Sequence, residues 1–178
     1  MIRVGKAIVL VGVLTMINAG IAYGAGPQSS QDQNADLCFE ETVKVANGAD
    51  PETLRTIYCA RALKVKPLSR QDRSAIFYNR GIILKAQGDL IAARSSFEKA
   101  VNLSNTVDRR NLALAEIARE LGDDVVALQQ YDLLTKSAFA VDSEGVWEAV
   151  FARREETLHS FERTLHASVV PPDITSQD

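Results

Sequence analysis

The fold of this chain is decided by residues 74–105, which read SAIFYNRGIILKAQGDLIAARSSFEKAVNLSN. Phe77, Gly81 and Leu84 recur at spacings of four and three residues, which places them on one face of a helix. The spacing stops at Gly88. A second helix then carries small and large residues on one face, namely Ala93, Phe97 and Ala100. The segment therefore predicts two antiparallel helices that are joined by a turn.

The same arrangement returns at a fixed interval further along the chain. The interval from Ala93 to Ala127 equals that from Phe97 to Tyr131, and it also separates the glycine turn at Gly88 from a second one at Gly122. A fixed period of this length, roughly 34 residues, is typical of helical repeat arrays. We therefore expect an all-α fold, in which antiparallel helix hairpins stack into an α-solenoid.

The segment resembles a tetratricopeptide repeat. The pattern of that family is W-x2-L-G-x2-Y, followed by Ala-x3-Phe and a helix-ending Pro. It maps onto Phe77, Arg80, Gly81, Leu84, Ala93, Phe97 and Asn105. Arg80 stands where the family has Leu, and Asn105 stands where it has Pro. The resemblance is closest to exported bacterial members of the family, which are mostly known as binding modules.

The chain divides into consecutive segments, of which the middle ones follow the repeat period. We expect a signal peptide over residues 1–24, a flexible leader over 25–36, a helical domain over 37–168 and a disordered tail over 169–178. The parts of the helical domain are a degenerate repeat over 37–68, repeats over 69–105 and 106–138, and a capping helix over 143–168.

The degenerate repeat is expected to contain two helices. The first, over residues 37–46, would bury Phe39, Val43 and Ala46 on one face. The second would begin at Pro51, which suits the first helical position, and would run to about residue 64. Its inward residues would be Leu54, Ile57, Tyr58 and Ala62.

The capping helix carries an apolar stripe over its whole length, made of Trp147, Val150, Phe151, Leu158, Phe161 and Leu165. One long helix or two short ones would fit this stripe. We favour one long helix, because no Gly or Pro interrupts the segment. It would cover the open end of the stack, where a terminal repeat otherwise exposes an apolar face.

Residues 1–24 are typical of a secretory signal peptide. Arg3 and Lys6 supply the positive start, an apolar run follows, and a small-x-small site predicts cleavage near Gly24/Ala25. An uncleaved anchor is the alternative, although the run of ~16 residues falls short of the ~20 that span a bilayer. We expect a periplasmic or secreted protein with no membrane insertion after cleavage.

Composition and motifs exclude several classes of function. Hydrophobic residues make up 46% and charged residues 24% of the chain, which is typical of a soluble globular protein. The chain beyond residue 24 has a net charge of −5, so we expect no nucleic acid partner. The sequence contains no Gly-rich phosphate loop, no HExxH motif and no nucleophile elbow. We therefore expect neither enzymatic activity nor a cofactor.

Cys38 and Cys59 are the only cysteines in the chain. An even pair in an exported protein favours a disulfide, and free or metal-binding thiols are the alternative. Each cysteine lies on one helix of the first hairpin, and Cys59 takes the place that Phe97 and Tyr131 hold in the later repeats. A disulfide would replace the aromatic residue there.

The capping helix also carries a weak metal-binding signal. Glu155, His159, Glu162 and His166 follow one another at spacings of four, three and four residues along one side. Helical metal sites need such motifs on several facing helices, and no second helix offers one. We therefore interpret these residues as a solvated face and predict no metal site.

The resemblance implies a concave groove, lined by the first helix of each repeat, that receives an extended peptide or a partner helix. Carried onto this chain, the groove residues are Ala75, Tyr78, Ile82, Lys85, Arg109, Leu112, Glu116 and Arg119. Tyr78 and Ile82 lie off the packing stripe of their helix, so partner binding would explain them. Packing against the neighbouring repeat or the terminal helix is the alternative.

Two functions remain open at this point. The first is a non-enzymatic scaffold or adaptor of the bacterial cell envelope that binds an unknown protein partner in the groove. The alternative is a structural or self-associating envelope protein whose groove is filled by its own C-terminal helix. The sequence is compatible with a monomer or a weak homo-oligomer.

Overall fold

The computed structural model describes residues 32–137 and 146–169, and every regular element in these ranges is helical. The helices are α1 (Asp32–Ala46), α2 (Ile57–Ala62), α3 (Arg70–Ala86), α4 (Leu90–Leu103), α5 (Arg109–Glu120), α6 (Asp124–Lys136) and α7 (Val146–Val169), and a short 3-10 turn (Pro51–Thr53) precedes α2. The expected all-α class is confirmed. The predicted signal peptide, the leader up to residue 31, residues 138–145, the tail from residue 170 and the side chain of Trp147 lie outside the described residues.

Helices that follow one another in sequence pack against one another. α1 packs with α2, α3 with α4 and α5 with α6, and contacts of α1 with α3, α4 with α5 and α6 with α7 join these pairs into one array. The buried side chains form three clusters along the array, and each of them takes residues from more than one hairpin or from α7. This is the arrangement of a stacked repeat protein, in which each unit buries its apolar face against its neighbour.

The period of the sequence is present in the backbone as well. Gly88 and Gly122 both have positive φ angles, of 80° and 76°, which end α3 and α5 with a left-handed residue. The aspartates that follow them, Asp89 and Asp123, both accept a hydrogen bond from a free amide in the first turn of the next helix. Repeated turn chemistry therefore produces hairpins of one geometry.

The central hairpin closes around Phe97, which is almost fully buried between Ala93 and Ala100. A Cβ atom added at Gly81 would lie 2.5 Å from Cε1 of Phe97, well inside van der Waals contact. The glycine on α3 therefore lies directly against the large residue on α4.

The disulfide between Cys38 and Cys59 is present and joins α1 to α2 with a Cα separation of 4.8 Å. Both cysteines are fully buried, in a cluster that also takes Ile76 and Ile83 from α3. One part of the prediction was wrong. Cys59 lies one repeat before Ala93 and is buried as Ala93 is, so it holds the small-residue position and not that of Phe97.

The first helix differs from the prediction in its start and in its buried face. It begins at Asp32, so the expected leader cannot extend to residue 36. Polar residues at a helix start need no apolar period, because they interact favourably with the free amides of the first turn. Phe39 and Val43 are exposed, whereas Cys38 and Glu41 point inward. The disulfide decides which face of α1 is buried.

The second helix of this repeat is shorter than predicted, because the backbone is extended at Leu54 between the 3-10 turn and α2. The N–H of Arg55 donates to Oε2 of Glu41 at 2.7 Å, and the carbonyl of Leu54 accepts a hydrogen bond from Gln87 at 3.2 Å. Leu54 is buried as expected, but Ile57 is exposed. Side chains from α1 and from the end of α3 thus satisfy the backbone groups that a continuous helix would have paired.

Substitution of Glu41 tests this arrangement. The carboxylate is buried, accepts the Arg55 amide, and pairs with Lys44 at 2.6 Å. We expect Glu41→Leu to lower the free energy of unfolding by about 1–3 kcal/mol, because it removes the carboxylate that accepts the hydrogen bond of the Arg55 amide. Urea unfolding measures the loss. Glu40→Leu, at the exposed neighbouring position, is the control, and an equal loss in both variants would contradict the role of Glu41.

The capping helix is one continuous helix, α7, and it includes Val169, which the prediction placed in the tail. Among its described side chains, Val150 and Thr157 are buried and face the array. Phe151 and Leu165, which share the predicted apolar stripe, are each 48% exposed. Residues 162–168 are all exposed, so the distal part of α7 extends beyond the hairpin that it covers.

Candidate partner-binding face

The eight predicted groove residues lie on two neighbouring first helices, four on α3 and four on α5. Each residue on α3 has its counterpart on α5 one repeat later, as Ala75 and Arg109 illustrate. The two helices are linked directly, because Nζ of Lys85 lies 2.9 Å from a carboxylate oxygen of Glu120. The eight predicted residues therefore lie on two helices that this ion pair connects.

Tyr78 and Ile82 lie at the edge of the core. Both are half-buried against the cluster that contains Phe97, Leu114 and Ile117, so they contact the neighbouring repeat as well as their own. The ring centroids of Tyr78 and Phe97 are 5.9 Å apart. Burial raises the pKa of the Tyr78 hydroxyl above its usual value. Packing against the neighbouring repeat, which was the alternative interpretation, therefore explains why both side chains are half-buried.

Glu116 is held by groups from three helices. Its carboxylate accepts a hydrogen bond from the Tyr131 hydroxyl of α6 at 2.8 Å, and it lies 3.1 Å from Arg153 of α7 and 3.7 Å from Arg119. Burial raises the pKa of Tyr131, and the bond to the Glu116 carboxylate raises it further. This predicted groove residue joins α5, α6 and α7 and is not a free contact.

Ion pairs between first helices recur along the array. Lys85 of α3 pairs with Glu120 of α5, and Arg119, one repeat after Lys85, lies 3.8 Å from Glu156 of α7. The repeated pairing places α7 beside α5 in the position of a first helix. Lys85, Glu116 and Arg119 therefore form connections between repeats.

Two of the predicted groove residues, Ala75 and Arg109, form no such connection with another described residue. Ala75 has only a methyl group, and the side chain of Arg109 is exposed and makes no ion pair or hydrogen bond within residues 32–137 and 146–169. The positive charge of Arg109 partly opposes the rise in the pKa of Tyr78, so the two side chains lie near one another. Leu112, by contrast, packs against the cluster around Tyr131.

Asn79 was not predicted as a groove residue. It follows Ala75 by four residues and precedes Ile82 by three, so it shares their face of α3. Its side-chain amide is half-buried and makes no hydrogen bond to any other described residue. The spacing could have identified it, but the pattern of the resembled family gave no reason to single it out.

The histidines of α7 remain solvated. His159 is 72% exposed at its side chain, and its Nδ1 lies 3.6 Å from Glu162. Among the described residues there is no group of three or more His, Cys, Asp or Glu side chains that could hold a metal ion.

Within the same ranges, no helix is both long enough and apolar enough to cross a membrane. Comparison of the chain with protein-family models, curated proteins and solved structures gave no match. The class that the structure defines is therefore an all-α array of stacked helix hairpins with a disulfide in its first hairpin.

Proposed function

We propose that this protein is a non-enzymatic interaction scaffold of the bacterial cell envelope, which binds a segment of a partner protein along the first helices α3 and α5. The observation that carries the proposal is that two polar side chains on this face have no hydrogen-bond partner in the described part of the chain. These are the side chains of Asn79 and Arg109. The neighbouring charges on the same helices are already paired between repeats.

The chemistry of this face favours an extended segment. Ala75 on α3 and Ala113 on α5, which is the counterpart of Asn79 one repeat later, have small side chains that allow a partner backbone to approach closely. The Asn79 amide can both donate to and accept from a peptide bond. Arg109 can pair with an acidic side chain of the partner. Binding would combine main-chain recognition with one charge contact.

Export is part of the proposal and is supported by the disulfide, because disulfides persist in oxidising compartments. The predicted signal peptide would deliver the chain there. The mass of the protein recovered from the envelope fraction should correspond to a chain that begins near Ala25. A mass that includes Met1 in the membrane fraction would contradict this.

The double substitution Asn79→Ala with Arg109→Glu tests the binding face. We expect it to abolish capture of the partner from cross-linked cells and to leave the free energy of unfolding within about 0.5 kcal/mol, because neither side chain supports the core. Lys136→Glu, on the exposed end of α6, is the matched control. Equal capture by the double variant and by wild type would exclude this face. Tyr78 is unsuitable for the test, since its packing against Phe97 couples binding to stability.

The self-associating envelope protein remains a second candidate, and α7 provides the observation in its favour. Leu165 is 48% exposed on the distal part of this helix, close to the half-buried Leu158 and Phe161. A helix that presents such residues can pack against another copy. Light scattering would then show a concentration-dependent dimer that Leu165→Asp abolishes.

A further inference from the structure

Three aliphatic side chains are exposed at the same position in successive repeats. Ile57, Ile91 and Val125 follow one another at intervals of one repeat, in the first turns of α2, α4 and α6. They are 47%, 70% and 49% exposed. We refer to these three residues as the aliphatic row.

The aliphatic row points away from the core in every repeat. Each member precedes by two residues a fully buried small residue, respectively Cys59, Ala93 and Ala127. Two residues correspond to roughly 200° around a helix, so the row occupies the side opposite to the packing face. Equivalent positions of a solenoid lie along one surface, so the three side chains follow one another across the array.

Burial gives only a partial reason for these residues. β-branched side chains are slightly unfavourable in helices, and between 47% and 70% of each of these residues stays exposed. The row lies on the second helices, whereas the face proposed above lies on the first helices. It is therefore a separate surface, and its argument does not depend on the function proposed for α3 and α5.

The charges beside the row change sign along the array. Arg55 precedes Ile57 by two residues, and its guanidinium contacts only the carbonyl of Glu52 among the described residues. Asp89 occupies the same position before Ile91 and makes no ion pair with any residue that the structure describes. Asp123 is neutralised by Arg94 at 2.7 Å, but the neighbouring Asp124 has no such partner within residues 32–137 and 146–169. The row is thus positive at its first member and negative at the other two.

We propose that the aliphatic row binds an extended segment of a partner protein, with one aliphatic residue for each repeat. The row lies on α2, α4 and α6, and a helix with its side chains is about 10–12 Å wide, so we take successive members of the row to be on the order of 10 Å or more apart. Aliphatic residues can recur on one side of an extended segment in two ways. Three positions span about 9 Å in the polyproline II form, which has three residues per turn, and four positions span about 13 Å in a β-strand, whose side chains alternate between faces. Charge complementarity requires an acidic residue beside the first of them and basic residues beside the other two.

Binding of synthetic peptides to the full exported chain tests this proposal. The probe is a fluorescent peptide with three leucines at three-residue or four-residue spacing, a glutamate beside the first and lysines beside the others. Anisotropy should show binding to wild type and binding weakened at least about tenfold by the triple variant Ile57→Ser, Ile91→Ser and Val125→Ser. The matched control replaces three other exposed aliphatic residues, in Val43→Ser, Leu133→Ser and Leu165→Ser, and should bind normally.

Several outcomes would overturn the proposal. They are failure of both spaced peptides to bind, equal binding of a peptide with adjacent leucines or reversed charges, and unchanged binding by the triple variant. If the triple variant does not fold, the single variant Ile91→Asp tests the same point, because this residue is 70% exposed.

Light scattering of the protein and its sedimentation with vesicles of anionic lipid distinguish other occupants of the row. A wild-type dimer or lipid binding that the triple variant loses would assign the row to a second copy or to a membrane instead.

Discussion

Gly81→Leu is expected to lower the free energy of unfolding by roughly 1–3 kcal/mol or more. A Cβ atom alone would come within 2.5 Å of the Phe97 ring, and that ring is buried between Ala93 and Ala100 with Tyr78 against it. The Phe97 side chain is 1% exposed and cannot turn into solvent without leaving the core, so we expect the larger side chain to separate α3 from α4. Because α4 also packs on α5, the strain would reach the next repeat.

Urea unfolding of Gly81→Ala and Gly81→Leu, alone and with Phe97→Leu, measures this effect. The combination of Gly81→Ala with Phe97→Leu should cost less than the sum of the two single changes, because the smaller side chain at position 97 leaves room for the added Cβ atom. Additive losses would show that Gly81 and Phe97 do not act through their contact. A Gly81→Leu variant as stable as wild type would exclude Gly81 from the packing face.

Removal of the disulfide is expected to cost about 3 kcal/mol, because the bond closes a loop with a sequence separation of 21 residues. The first hairpin has few other fully buried apolar residues: besides the cysteines it supplies Leu54 and Ala62 to its cluster, and α3 supplies Ile76 and Ile83. In a stacked array stability is largely a sum of local and nearest-neighbour terms. Reduction should therefore loosen α1 and α2 while α3 to α6 remain folded.

Hydrogen exchange on the Cys38→Ala, Cys59→Ala double variant checks the location of this loss. Amide protection should fall over residues 32–62 and persist over residues 74–136. Thiol labelling of the native protein, purified from its own compartment without reductant, should find no reactive thiol before reduction and two after it. Two reactive thiols in the folded native protein would contradict both the bridge and the oxidising location, and uniform loss of protection would contradict the local role.

The regular part of the fold could be predicted from the sequence alone. Gly88, Gly122 and the alanines and aromatic residues that recur once per repeat specify turns and close helix packing through short-range geometry. Backbone freedom at glycine and side-chain size are properties of individual residues, so a linear pattern reports them. For the same reason the two cysteines could be paired, since no other cysteine was present.

The use of each remaining side chain was decided by tertiary contacts. The helix predicted from Pro51 is interrupted because Glu41 and Gln87 bind its backbone at Arg55 and Leu54, from positions that are distant in the sequence. Tyr78 was predicted to face a partner, yet it packs on Phe97. Neither contact could be read from the local pattern, because the partner lies on another helix.

The charged residues show the same limit. Glu116 was predicted as a groove contact, yet it is bound by Tyr131 and Arg153. A sequence pattern shows which side of a helix a residue occupies, whereas the neighbouring helix determines whether a charged or aromatic group finds a partner there. The sequence therefore determined the repeat and its disulfide. Only the folded array decided which polar groups, such as Asn79 and Arg109, have no hydrogen-bond partner in the described part of the chain, because such partners come from distant parts of the sequence.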